Sequence, residues 1–133
     1  MPSLDHTIVH STDRFASAQF LADLLDAPAP KAYGPFAAVK MDNGVTLDYA
    51  EHVASGQEFV PTHYAFLVTE AEFDAILARI EARQLPYWAE PLHRGAQQIN
   101  TRDGGRGLYV DDPDGHYMEF LTRTYSEEML AGL

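Results

Sequence analysis

The chain reads as an α+β protein in which one strand and helix pattern is used twice, and three observations predict this. Each half opens with a strand-like run that holds a histidine, continues into an amphipathic helix and then into about three more strands. His6 in LDHTIVH precedes Thr12, a helix-start residue, by the same interval that separates His63 in THYAFLV from Thr69. Asp48 follows the turn glycine Gly44 by the same interval that separates Glu119 from Gly115. Polar groups that recur at equivalent places suggest convergence at the joint between two halves.

Residues 4 to 10 alternate, with His6, Ile8 and His10 on one face and Thr7 and Val9 on the other, as in a half-buried strand. A helix is expected from about Thr12 to Leu25, capped by Ser11 or Thr12, with Asp13 in its first turn and an end before Pro28. Ala18, Leu21 and Leu25 supply its apolar stripe. FAAVKMD and VTLDYAE follow as strands joined by Asp42-Asn43-Gly44, a strong hairpin signal.

The second half runs from HYAFLV into a helix whose Thr69 and Glu72 fit a capping box, with Phe73, Ile76, Leu77 and Ile80 spaced as one helical face. PYWAEPL, QQINTR and GLYVDD read as strands, broken at Arg94-Gly95 and at Gly104-Gly105-Arg106-Gly107. Pro113 and Gly115 suit a type I turn, HYMEFLTRT is the last strand, and residues 126 to 133 form a tail or short helical turn. The second half is the longer, and its surplus falls around residues 85 to 107, a natural place for a substrate loop.

At 133 residues the chain fits one domain able to bury a core without metal or disulfide staples, so a metal would be present for chemistry. It has no cysteine, which leaves imidazole and carboxylate as the available ligands. Nine basic against twenty acidic side chains give a net charge of −11, which disfavours nucleic acid as a partner because phosphate contacts dominate that affinity. The opening MPSLDHTIVH has no basic segment followed by an apolar run, and no stretch is long enough to span a bilayer. A cytoplasmic protein with no membrane partner is the expectation.

Alternation places Asp48 on the strand face opposite Val45, Leu47 and Tyr49, and Glu119 opposite Met118 and Phe120. The apolar face must cover a helix, so both carboxylates should share the concave face with His6 and His63. Asp and Glu are poor strand residues, which favours a functional reason for them. A strand histidine is ordinarily a hydrogen-bonded core or edge residue; the repetition is what favours metal. His6, His63 and Glu119 are the expected ligands for Zn, Mn, Fe, Co or Ni, with positions left open for substrate. Asp48, a methylene shorter than glutamate, is open between fourth ligand, general base and a solvated role.

Lesser candidates surround these. His10 shares a face with His6 and Tyr117 with Glu119, so both are candidates for contacting substrate. Arg102 and Arg106 flank a glycine-rich turn where guanidinium could clamp a carboxylate. Trp88 and Tyr109 could line the cavity or pack in the core. His93 with Arg94 could reach an anionic substrate or lie exposed in a loop, and His116, of opposite parity to Glu119, reads as structural. The glycine cluster fits no nucleotide-binding loop, and no G-x-S-x-G or H-E-x-x-H occurs.

These residues resemble the vicinal oxygen chelate superfamily, which includes glyoxalase I, fosfomycin-resistance enzymes, extradiol dioxygenases, methylmalonyl-CoA epimerase and bleomycin-binding proteins. The resemblance spans residues 4 to 125 and is most specific in RGLYVDDPDGHYMEFL, residues 106 to 121. It implies two βαβββ modules, about 1–57 and 58–125, with curled mixed sheets around a central cavity. It also implies a two-histidine, one-carboxylate set at His6, His63 and Glu119, with Asp48 in the fourth, variable position. A glyoxalase- or dioxygenase-type enzyme is expected, in which a divalent metal chelates two oxygens of a small metabolite for isomerase or lyase-like chemistry. Glu119 and Asp48 are its catalytic candidates. The alternatives are a ring-cleaving extradiol dioxygenase and a metal-free protein that sequesters a drug or metabolite. Two modules expose sheet edges, so a homodimer is expected, with exchange of modules between chains a further option.

Overall fold

The computed structural model describes residues 1–51 and 59–132. The expected module boundary near residues 57 and 58 lies largely outside the described residues. Two compact units are formed: Met1–Pro61 with Asp112–Gly115, and Thr62–Asp111 with His116–Leu133.

The first unit comprises β1 (His6–Ser11), α1 (Arg14–Leu25), β2 (Lys31–Tyr33), β3 (Phe36–Lys40) and β4 (Thr46–Glu51). Its sheet has the order β1-β4-β3-β2, with β1 parallel to β4 and the other pairs antiparallel. Helix α1 packs on β1, β3 and β4. Val9, Ala37, Val39, Leu47 and Tyr49 are buried together with Ala18, Leu21 and Leu24 of the helix. The helix starts later than the sequence pattern implies, because the cap is Asp13, whose carboxylate accepts from the Ala16 amide at 3.1 Å. Thr12 is held instead by Asp114, which accepts from both its amide and its hydroxyl and from the Ser17 hydroxyl. Leu25 is only half-buried, and Ser17, Ala22 and Leu24 widen the buried stripe.

The second unit comprises β5 (His63–Leu67), α2 (Glu70–Ala82), β6 (Trp88–Glu90), β7 (Arg94–Ala96), a 3-10 turn (Arg102–Gly104), β8 (Gly107–Asp111), β9 (Tyr117–Leu121) and α3 (Glu127–Ala131). Its sheet runs β5-β9-β8-β6-β7, again with one parallel pair, β5 and β9. The capping box is present, with the Thr69 hydroxyl accepting from the Glu72 amide and the Glu72 carboxylate from the Thr69 amide. Phe73, Ile76 and Ile80 of α2 are buried, as are Leu108, Val110, Met118 and Phe120 of the sheet.

The surplus chain of this half forms the small β6–β7 hairpin. Arg94-Gly95 lies inside β7 rather than interrupting two strands, with Arg94 paired to Glu90. QQINTR is not a strand, and of its residues only Asn100 bridges to Gly107. The reason is local: the Asn100 side chain donates to the Ala89 carbonyl at 2.8 Å and Gln97 adopts positive φ, so these residues close turns instead of extending a ladder. The repeated strand–helix–strand order and mixed sheets establish the α+β class.

Candidate metal centre

Because β5 runs parallel to β9 with Ala65 opposite Glu119, His63 stands diagonal to Glu119 on the face that the core does not use. The His63 Nε2 lies 2.9 Å from the Glu119 Oε1. The imidazole is 48% exposed and the carboxylate 12% exposed, so the pair is open to an incoming ligand on the histidine side and sheltered on the other. Tyr109, from β8, meets the His63 ring edge-on at 5.8 Å. Burial, and next the nearby Glu119 charge, raise the Tyr109 hydroxyl above its usual pKa, which keeps it a neutral donor.

The first unit carries a histidine and a carboxylate of its own. His6 and Asp48 share a sheet face, since Thr46 is paired with His6 and Asp48 with Ile8 in a parallel register. The His6 Nδ1 lies 2.7 Å from the Asp5 carboxylate. That bond, and next the charges of Asp5 and Asp48, raise the His6 pKa. A histidine whose Nδ1–H is held by a carboxylate presents the Nε2 lone pair, the arrangement that metal-binding imidazoles use. Among the described residues, no three His, Asp or Glu side chains gather into a metal site. His63 with Glu119 belongs to one unit and His6 with Asp48 to the other.

The lesser candidates fall into place differently. Tyr117 lines a small cleft together with His63, Trp88, His93, Tyr109 and Asp111. Arg102 pairs with Glu90, another residue of that cleft. The Arg106 guanidinium is held by Glu70 and Asp74 of α2 and lies 4.5 Å over the Phe73 ring, committing it to the helix. His10 stacks on Phe59 at 6.0 Å in the first unit. His116 is fully buried and its Nδ1 accepts from the Thr62 amide at 2.9 Å, a structural role.

Asp111 was not distinguishable as a site residue from sequence motifs, yet the structure places its carboxylate 2.7 Å from the His93 Nε2. Part of the signal that picked out Asp48 is present here too, an acidic residue within a strand, and Asp111 shares the parity of Tyr109.

Two βαβ-type units, each offering a histidine and a carboxylate on an open sheet face, define a duplicated scaffold of the vicinal oxygen chelate type. The chain belongs to the Glyoxalase/Bleomycin resistance protein/Dioxygenase superfamily, whose profile matches residues 3–120. Among solved structures it is similar to the oxidase ChaP-H1, with 54% identity and a TM-score of 0.89, covering 95% of this chain and 99% of that one. It is also similar to the oxidase ChaP-H2, with 50% identity and a TM-score of 0.88, covering 94% and 96% of the respective chains. The glutathione transferase FosA of Serratia marcescens is 30% identical over 134 residues, 98% of this chain and 88% of that protein. Among the described residues no helix is long and apolar enough to cross a membrane.

Proposed function

We propose that this protein is a metal-dependent oxidase of a small oxygenated molecule, with His63, Glu119 and His6 as the ligands of one divalent ion. The observation that carries the reading is the His63–Glu119 pair, 2.9 Å apart on an open sheet face beside an aromatic cleft. Imidazole nitrogen and carboxylate oxygen suit Mn, Fe, Co, Ni or Zn, and Glu119 is sheltered enough that an ion in place of the hydrogen bond would compensate its charge. The similarity to two oxidases at 54% and 50% identity favours oxidative chemistry over the isomerase or lyase-like alternative.

His6 would supply the third ligand from the first unit of this or a second copy. Exposed apolar side chains on the open sheet faces, Ile8 and Leu67, favour a homodimer. When bound, the ion would polarise two substrate oxygens and accept or relay electrons if it is redox-active. Glu119 and His63 hold and orient, Tyr109 offers a neutral hydroxyl donor, and Asp48 is the candidate general base of the first unit. Tyr117 and Arg102 would fix the substrate at the cleft, while His10 would contact it from the His6 face. Arg106 would act only after leaving Glu70 and Asp74.

The test is elemental analysis of protein purified without added metal, followed by oxygen uptake on catechols and other phenols after loading with iron or manganese. Stoichiometric metal with oxygen uptake supports the reading. Metal with turnover but no oxygen uptake moves it to isomerase or lyase chemistry, and failure to bind any added metal removes it in favour of a binding protein.

A further inference from the structure

We propose that His93, oriented by Asp111, is the group that takes the hydroxyl proton of a substrate bound in the cleft of the second unit. This rests on the metal-centre reading above, because a hydroxyl that chelates an ion as its oxyanion gives its proton to something nearby. The three loop residues between β6 and β7 end at His93, whose ring stacks on Trp88 with centroids 4.0 Å apart and planes 26° from parallel. Its Nε2 is 2.7 Å from the Asp111 Oδ2, and both residues line the cleft that also contains His63.

Two constraints therefore act on one imidazole. Stacking fixes the ring plane, and a carboxylate acceptor favours the tautomer with hydrogen on Nε2, leaving the Nδ1 lone pair as the basic site. No hydrogen bond engages Nδ1 among the described residues. The backbone reaches this arrangement through two successive non-glycine residues at positive φ, Leu92 at 61° and His93 at 59°. Such conformations are costly and persist where the surroundings enforce them, frequently at functional sites.

The step balances within these groups. The substrate O–H bond breaks, its electron pair stays on oxygen, and the proton forms an N–H bond at Nδ1; Asp111 remains a carboxylate facing the resulting imidazolium. The other charged or titratable groups lining the cleft are Glu90, already paired with Arg102, Tyr109, Tyr117 and His63, with Glu119 behind His63. None of them repeats a carboxylate-held imidazole except the proposed ligand His63.

Two measurements test this. In the protein as isolated, nitrogen–proton correlation spectra of the neutral imidazoles should show His93 with hydrogen on Nε2, and Asp111→Asn should weaken that preference. Hydrogen on Nδ1 would overturn the proposal whether or not metal is bound. In metal-loaded protein, nitrocatechol binding is followed through the absorbance of its ionised form. His93→Gln should retain wild-type metal content and weaken nitrocatechol binding about tenfold or more at mildly acidic pH. The affinity should be regained at alkaline pH, where the probe ionises by itself. Wild-type affinity and pH profile in the variant would refute the role, while absent metal in the wild type would count against the metal centre alone and leave the tautomer measurement decisive. Asp111→Asn gives a second variant with the same expected direction should His93→Gln fold poorly.

Discussion

His63 and Glu119 face one another across a parallel strand pair, with ring nitrogen and carboxylate oxygen 2.9 Å apart although 56 positions separate them in the chain. Removing either partner tests whether the pair exists for an ion. His63→Ala should lower metal retention by tenfold or more, roughly the loss expected when an ion's immediate surroundings are disturbed. Stability should change by less than about 0.5 kcal/mol, since the imidazole is 48% exposed. Elemental analysis and thermal unfolding of the same preparation report both; unchanged metal content would remove His63 from the ligand set.

Asp114 does a different kind of work in the first unit. Its carboxylate accepts from the Thr12 amide at 3.2 Å, the Thr12 hydroxyl at 2.8 Å and the Ser17 hydroxyl at 2.9 Å, tying the start of α1 to the Asp112–Gly115 turn. Asp114→Ala should cost about 2 kcal/mol, in the range of hydrogen bonds to charged groups. Urea unfolding measures it, and Asp114→Asn should recover part of the loss by keeping an acceptor.

The Arg106 cluster predicts an acid dependence. The Arg106 side chain, and next the Thr122 hydroxyl, hydrogen-bond the Glu70 carboxylate and hold its pKa below the ordinary value. A depressed folded-state pKa contributes stability above the unfolded value of about 4.3 that is lost as pH falls through the folded one. Arg106→Ala should therefore lower the melting midpoint by roughly 3 °C at neutral pH, modest because the ion pairs are exposed. The difference from wild type should shrink in acid as pH falls through the lowered Glu70 pKa; a pH-independent difference would show that the stacking over Phe73 matters and the ion pairs do not.

Gly105 is a packing requirement rather than a flexible turn. A Cβ there would stand 2.7 Å from the Thr122 hydroxyl and 2.9 Å from the Arg123 Cγ, although the backbone is extended at φ −109° and ψ −156°. Gly105→Ala should cost about 1–3 kcal/mol by displacing the strand end that follows β9. Gly34→Ala meets nothing within 4 Å but stands at φ +54°, so its smaller cost, about 1 kcal/mol, comes from the backbone alone. Equal effects in calorimetry would contradict this division.

Local patterns carried most of the architecture. The capping box at Thr69 and Glu72, the hydrogen-bonded turn at Asp112–Gly115 and the alternation of β1, β4 and β9 are all short-range chemistry, and the structure contains each. Where two local signals competed, the pattern was ambiguous: Ser11, Thr12 and Asp13 are all good caps, and Asp13 is selected because Asp114 engages Thr12. QQINTR lost its strand for a similar reason, since the Asn100 amide satisfies a carbonyl that a ladder would have used.

The sequence by itself determined which side chains share a sheet face, because parity along a strand is a property of consecutive residues. His6, Asp48, His63 and Glu119 were identifiable on that ground. Only the tertiary structure decided which of them touch, and it alone brought His93 onto Trp88 and Asp111. Contact between strands depends on the register of pairs distant in the chain and on how a hairpin loop is folded back. Those are settled by packing the whole unit at once, which no window of neighbouring residues encodes.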